Sequence, residues 1–256
     1  VALVSTPSKN YRDRGVVLRT QPLGETDRII ILLTRSSGLV HAVAKGVRKG
    51  NSRFGGRLEP FMYLDISLVA GKKLHTVSQV QTRHAYTASL MADFDAYSVA
   101  TVISELAESL LNFETEQNEP FFDLLVGALA SLARSGHPAL DVFTAFALRA
   151  MGLAGWGFSL QTCSLCGRPA EPAWFSAESG VVCDSCARSS RVQARQPISP
   201  EMLTYLENLR SVQWSRISPA DSRSLSTAAY RIIIQYVQWH LEKPLRSVAL
   251  IEKEVS

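Results

Sequence analysis

A chain of 256 residues with 46% apolar side chains can bury one large core or two to three small ones, so a globular protein is expected. No uninterrupted apolar run approaches the roughly 20 residues that cross a bilayer, and the opening VALVSTPSKN lacks the basic-then-apolar layout of a signal peptide, so a cytoplasmic protein without membrane partners is expected. The net charge of +4 is unevenly spread: residues 1–84 hold 14 Lys+Arg against 5 Asp+Glu, a net +9, and the remainder carries −5. Such an excess raises the local concentration of polyanions, which makes nucleic acid the leading ligand of the amino-terminal part.

Five strands are predicted there: Gly15 to Thr20, Arg28 to Thr34, Leu39 to Lys45, Phe61 to Val69 and Leu74 to Thr82, each rich in Val, Ile, Leu and Thr and bounded by glycines. The count and length fit a small five-stranded β-barrel of the OB type, with a Src-homology-like barrel as the competing assignment. Between the third and fourth strands runs Lys45-Gly-Val-Arg48-Lys49-Gly-Asn-Ser-Arg53-Phe54-Gly-Gly-Arg57, with five cations and no acid. Its glycines let backbone approach a phosphate, and Phe54 is a candidate for stacking on an unpaired base. Arg19, Arg28, Lys72 and Lys73 extend the candidate phosphate-binding set, and Arg12, Arg14 and Arg35 join it if they project from the same side. Alternation directs Arg19 and Arg28 outward, because their apolar neighbours must fill the barrel.

From about Asp95 the apolar period lengthens to between three and four. Val99, Val102, Ile103, Leu106, Leu110 and Phe113 mark one amphipathic helix, Phe121 to Leu132 a second, and Leu140, Phe143, Phe146 and Met151 a third. Ser199-Pro200-Glu201 and Ser218-Pro219-Ala220-Asp221 each place a capping hydroxyl before a proline and an acid, so two more helices are expected, the later one closing the core through Leu225, Ala228, Ala229, Ile232, Ile233, Tyr236 and Val237. The last few residues read as disordered. The expected class is therefore α+β and multi-domain: a barrel over 1–84, a central and carboxy-terminal helical bundle over 85–160 and 197–256, and an inserted cysteine module over 161–196.

All four cysteines of the chain fall in that module, as Cys163-x-x-Cys166 and Cys183-x-x-Cys186 with sixteen residues between the pairs. Each C-x-x-C turns back so that two thiolates take adjacent corners of a tetrahedron, and Ala173-Trp174-Phe175 with Val181-Val182 form a hairpin that brings the pairs together. This is a zinc ribbon layout, and one structural Zn2+ with no open coordination position is expected. Paired disulfides or a redox C-x-x-C are the alternatives that a cytoplasmic chain disfavours. Arg168, Arg188, Arg191 and Arg195 are the cations near enough for the ribbon to touch DNA.

Catalytic patterns are missing. Gly71-Lys72-Lys73 lacks the first glycine and the hydroxyl of a phosphate loop, the histidines at 41, 75, 84, 137 and 240 show no metal-binding pair, and no G-x-S-x-G elbow occurs. A non-enzymatic protein is expected.

Gly15-Val-Val-Leu-Arg-Thr20, Gly24-Glu-Thr-Asp-Arg28, Ala44-Lys-Gly-Val-Arg-Lys49 and Ser52-Arg-Phe-Gly-Gly-Arg-Leu-Glu-Pro60 resemble the RecO family of bacterial recombination mediators. Gly152-Leu153, Cys163-Ser-Leu-Cys166-Gly, Trp174-Phe175-Ser and Gly180-Val-Val-Cys183 carry the likeness on, so that it spans most of the chain, although Ala187 stands where a ribbon often has glycine. The resemblance implies an OB barrel, a helical domain and a zinc module. It also implies binding of single- and double-stranded DNA, annealing of complementary strands, and loading of RecA, with RecR and sometimes RecF, onto DNA coated by single-strand-binding protein during gap and break repair. It implies no ATP hydrolysis and a place on the nucleoid. By family analogy, apolar residues beside Arg134 or Arg149 would receive the acidic tail of single-strand-binding protein. The alternatives are a zinc-stabilised protein–protein adaptor and an RNA-binding barrel.

Overall fold

The structure is a computed structural model that describes residues 10–111, 118–189, 192, 195–217 and 222–255. All five predicted strands form, as β1 (Asn10–Leu23), β2 (Asp27–Thr34), β3 (Gly38–Ala44), β4 (Met62–Val69) and β5 (His75–Ala85). They close into a barrel in the order β1-β2-β3-β5-β4, with β4 returning antiparallel to β1 and a short parallel pairing of β3 with β5. Closure in this order is consistent with the OB-type expectation.

The period-two alternation of β3 is plain, with Val40, Ala42 and Ala44 buried in the barrel. β2 instead carries five consecutive buried residues, Ile30 to Thr34. Ile30 and Leu32 fill the barrel while Ile31 and Leu33 face the helices, so both sides of this strand exclude water. Val17 likewise points into the barrel, and Val16 and Leu18 point at the helices.

β1 begins five residues earlier than expected. Its Asn10–Arg14 half pairs with Val69–Asp65 of β4, and one face of this half is open to solvent, so arginines occupy positions where a strand search looks for apolar residues.

After β5 come α1 (Tyr86–Met91), α2 (Phe94–Leu111), α3 (Asn118–Ala133) and α4 (Ala139–Leu153). The cysteine module follows with β6 (Ala173–Ser176), β7 (Gly180–Cys183), the short α5 (Asp184–Ala187) and β8 (Arg195–Pro197). The chain then returns to the bundle through α6 (Pro200–Arg210), α7 (Ser222–His240) and α8 (Val248–Val255). Ser199 caps α6 as its sequence requires, its hydroxyl accepting the Met202 N–H at 3.1 Å. The second cap, Ser218 to Asp221, and Phe113 of the α2 stripe lie outside the described residues. The α7 stripe packs as expected, with Ala229, Ile233, Tyr236 and Val237 buried.

The carboxy terminus departs from expectation, because α8 is helical to Val255. Val248 and Ile251 are buried in the bundle core. Glu105 of α2 holds the start of α8, accepting from the Arg246 N–H at 2.9 Å and the Ser247 N–H at 2.8 Å.

The barrel and the helices share one apolar core. Val16, Leu18, Ile31, Leu33, Phe61 and Tyr63 of the barrel join Val99, Ile103, Leu106, Phe121 and Phe122 of the helices. Two ionic contacts flank it: Arg19 with Glu108, and Arg35 with Glu119 and Asp123.

Candidate nucleic-acid interface and metal centre

The cysteine module is a hairpin carrying two knuckles. β6 and β7 pair antiparallel from Ala173 with Cys183 to Ser176 with Gly180, and β8 adds on the other edge of β6. Gly180 turns the hairpin at φ 74°, and a Cβ there would lie 2.5 Å from the Phe158 ring, so two independent constraints require glycine. In the first knuckle the Cys163 N–H donates to the Arg168 carbonyl at 2.8 Å and the Gly167 N–H returns to the Cys163 carbonyl at 2.9 Å. The Ser164 N–H reaches the Val181 carbonyl at 2.9 Å and thereby docks this knuckle on β7, whose last residue is Cys183. Cys186 follows on α5.

The result is a group of four Sγ atoms that all lie within 4.8 Å of one another, with Cys166 and Cys183 at 3.8 Å. A tetrahedral ion with metal–sulfur bonds of ~2.3 Å needs sulfur–sulfur edges of about 3.8 Å, so the donor set has the size of a metal site. No pair of these cysteines is joined as a disulfide. Ser185 Oγ, 3.1 Å from Cys183 Sγ, holds the Cys183 thiol down at about 6, and Arg168 holds Cys166 below the usual thiol range. Cys186, which shares hydrogen bonds with Cys183 and Cys166, is pushed up to about 12. Sulfurs this close cannot all ionise unaided, and a divalent cation removes the conflict by neutralising them together. Four protein ligands would leave no position for a water nucleophile, so an ion held by these cysteines would be structural.

Around it, Arg188 is held by Asp184 at 2.8 Å, Arg168 donates to Ser185 Oγ at 3.1 Å, and Arg195 donates to the Val192 carbonyl at 3.1 Å. Arg191 lies outside the described residues. The module's described cations are thus engaged locally.

The nine cations singled out in the amino-terminal part separate into distinct environments. Lys45, Arg48 and Lys49 stand exposed together at the start of the β3–β4 loop. This segment is fixed to the β1–β2 turn: the Gly46 N–H donates to Asp27 Oδ1 at 2.8 Å, the Arg48 N–H to the Thr26 carbonyl at 3.0 Å, and Arg48 Nη1 to the Gly24 carbonyl at 3.2 Å. The Gly46 N–H and the Thr26 hydroxyl hold the Asp27 carboxyl below its usual range, so it remains an anionic anchor for the loop. Lys72 and Lys73 are exposed at the β4–β5 turn.

Beyond the single Arg48–Gly24 contact, three others of the nine are engaged within the fold. Arg19 does project from the barrel, but toward α2, where Glu108 takes its guanidinium at 2.6 and 2.7 Å. Arg28 pairs with Glu59 at 2.8 Å. Arg57 donates to the carbonyls of Phe54 at 2.9 Å and Arg53 at 2.6 Å, which stitches the loop to itself.

Phe54 corrects the stacking expectation. It is 1% exposed and plugs the barrel beside Leu58, with the Arg53 guanidinium 4.8 Å above its ring. An apolar ring at the mouth of a barrel gains more from burial than from solvent, so it closes the core and has no free face for a base.

Arg83 escaped the sequence reading. The signal was the alternation Gln79, Gln81, Arg83 on β5, three polar side chains spaced by two on one face.

Comparison with known proteins agrees with this architecture. Residues 9–86 match the family model described as "Recombination protein O N terminal" and residues 91–249 the one described as "Recombination protein O C terminal". The DNA repair protein RecO of Bifidobacterium longum (strain NCC 2705) is 42% identical over 242 residues, covering 94% of this chain and 98% of that protein. The DNA repair protein RecO of Thermobifida fusca (strain YX) is 40% identical over 244 residues, covering 95% and 98%. That of Frankia casuarinae is 42% identical over 244 residues, with the same coverage.

Proposed function

Because the chain belongs to the RecO family of DNA repair proteins, we propose that it is a non-enzymatic DNA-binding mediator of recombinational repair, which anneals complementary strands and, with RecR, helps load RecA onto DNA coated by single-strand-binding protein. The observation that carries this reading is the exposed cluster Lys45, Arg48 and Lys49, anchored to a closed five-stranded barrel of OB type. Such a cluster neutralises phosphates without reading bases, and it lowers the repulsion between two strands that must meet. Lys72, Lys73 and Arg53 extend the phosphate-binding set, while Arg19, Arg28 and Arg57 hold the surfaces that present it.

In this reading the chain divides into a DNA-binding barrel over 1–84, a helical domain over 85–160 and 197–256, and a metal module over 161–196. Cys163, Cys166, Cys183 and Cys186 hold one structural zinc ion, supported by the all-thiol donor set and the tetrahedral spacing of its sulfurs. A work site in the cytoplasm, on the nucleoid, follows from the substrate; no helix among the described residues is long and apolar enough to cross a membrane.

The helical domain receives the partners, including RecF where it is used. A groove of about 850 Å³ between α3, α4 and the end of α6 is lined by Leu124, Phe146 and Trp214 and edged by exposed Arg134 and Arg149. Apolar depth beside positive charge suits the acidic, hydrophobic-ended tail of single-strand-binding protein.

The test is fluorescence annealing of complementary oligonucleotides at two salt concentrations, with the native chain and with K45E/R48E/K49E. Fast annealing that slows with salt and with the charge reversals supports the mediator reading. Absence of oligonucleotide binding in dilute buffer overturns it and leaves the adaptor. Preference for RNA over DNA of equal length overturns it in favour of an RNA-binding factor.

A further inference from the structure

The helical groove and the cysteine module share a wall. Phe158, in the connector between α4 and β6, lines the groove together with Trp156, Ile233 and Tyr236. Its ring also packs on Phe175 of β6, with centroids 5.9 Å apart, and on Tyr236 of α7 at 4.6 Å. The hairpin turn lies against it from the module side, since a Cβ on Gly180 would stand 2.5 Å from this ring. The Phe158 carbonyl accepts from Arg210 Nη1 at 3.3 Å, and the Trp156 carbonyl accepts from the Tyr236 hydroxyl at 2.8 Å. Glycines at 152, 155 and 157 leave this stretch few intrinsic backbone restraints, with Gly155 at φ 83° where α4 ends, so the packing of Trp156 and Phe158 sets its course.

The hairpin that carries Phe175 has two faces. Phe175 and Val181 join the bundle core, whereas Trp174 and Val182 pack with Cys163, Cys183 and Ala187 in the module's own small core. Each strand of the hairpin has 4 residues, and so short a ribbon over so small a core is not held by burial alone. An ion on the four sulfurs would lock the face opposite Phe158 and thereby fix the hairpin against which this ring rests.

We infer that the cysteine module sets the shape of the helical groove through Phe158, so that loss of the module's metal weakens capture of the groove's acidic, hydrophobic-ended partner. The inference rests on the groove and zinc readings above and adds the coupling between them. Linkage makes the effect reciprocal: the factor by which the ion raises affinity for the partner is the factor by which the partner raises affinity for the ion.

The experiment uses the full chain, zinc-loaded or treated with a chelator, and a labelled acidic peptide with a carboxy-terminal phenylalanine. Fluorescence anisotropy reads the peptide, and amide exchange reads the backbone. Zinc removal is expected to weaken the peptide about fivefold or more, from the lower end of allosteric couplings upward. It should also speed exchange at residues 155–158 while the barrel strands keep their protection. The peptide should in turn protect zinc from the chelator by the same factor. F175L keeps all four cysteines and lies outside the groove lining, but it thins the contact with Phe158. This variant should hold zinc, bind the peptide more weakly than the native chain and respond less to chelation, and it decides the matter if chelation unfolds the whole bundle. Peptide affinity and 155–158 exchange that are unchanged by zinc removal, or native affinity in F175L, overturn this inference and leave the groove reading standing. A zinc-loaded native chain that ignores the peptide overturns the groove reading, and exchange alone then decides whether module and connector are coupled. A chain whose cysteines take up no metal overturns both the zinc reading and this inference.

Discussion

Arg19 of β1 and Glu108 of α2, 89 positions apart in the chain, form a two-pronged ion pair, Nε to Oε2 at 2.6 Å and Nη2 to Oε1 at 2.7 Å. It bolts the barrel to the bundle along the edge of their shared core. Arg19 is 42% exposed and Glu108 14%, so water screens the arginine end. A double-mutant cycle on R19A and E108A should give a coupling of about 1 kcal/mol that shrinks with added salt. Oligonucleotide affinity of R19A should match the native chain, because this guanidinium is already taken; a shallower salt slope in R19A would show that it meets phosphate after all.

Neutralising the exposed loop should act in the opposite way. K45Q/R48Q/K49Q should cost no more than about 1 kcal/mol of stability, from the lost Arg48–Gly24 hydrogen bond, and lose about 2 units of log–log salt slope for single strands, at ~0.7 per phosphate contact. An unchanged slope in a fluorescence titration would remove the loop from the interface.

Phe54 separates packing from recognition. F54A should destabilise the barrel by about 3–5 kcal/mol, the usual cost of truncating a fully buried phenylalanine. Chemical denaturation reads this directly. F54L should recover much of the loss with native oligonucleotide affinity, whereas a base-stacking residue would lose affinity in both.

For the cysteines, elemental analysis should find one zinc per chain and no thiol reactive until a chelator is added. C163S, at a proposed ligand that is 2% exposed, should release the ion and lower the thermal midpoint, since Val182, Ala187 and Val192 form a small core that a bound metal would close. Full metal content in C163S would break the four-ligand assignment.

Asp141 gives a pH signature. It is fully buried in α4 with the Tyr205 hydroxyl donating to Oδ1 at 2.7 Å, and burial pushes its carboxyl up. A folded pKa above the unfolded one means that this stability is complete below the unfolded value and drains as pH rises through the folded one. D141N keeps an acceptor for Tyr205 and has no charge to bury. It should therefore be more stable than the native chain at neutral pH, with the gap closing in acid; parallel stability–pH curves for the two proteins would refute the account.

Much of the fold is legible in short patterns. β3 shows its alternation and α7 its stripe because each packs one side against a core, and the first capping serine of α6 names its partner three residues ahead. The opening of β1 is hidden by Arg12-Asp13-Arg14, since a strand with a wet outer face carries its charges there. The helical end of the chain was hidden for a different reason. Val248 and Ile251 are too few to announce a helix, and what fixes α8 is Glu105, more than 140 residues earlier.

The sequence by itself determined most of the elements, the gathering of the four cysteines and the sign of charge in each part, because these follow from spacings of two to four residues and from composition. Only the tertiary structure decided which cations are free. Arg19 points away from the barrel, yet the direction that would be solvent is filled by α2; Phe54 sits in a glycine-rich loop, yet the loop folds it inward; and Arg12, Arg14, Arg53 and Arg83 become one groove only when β1, β4 and the loop close around β5. A side chain's direction is local, but what stands in that direction is set by packing between segments far apart in the chain, and no window along the sequence contains both.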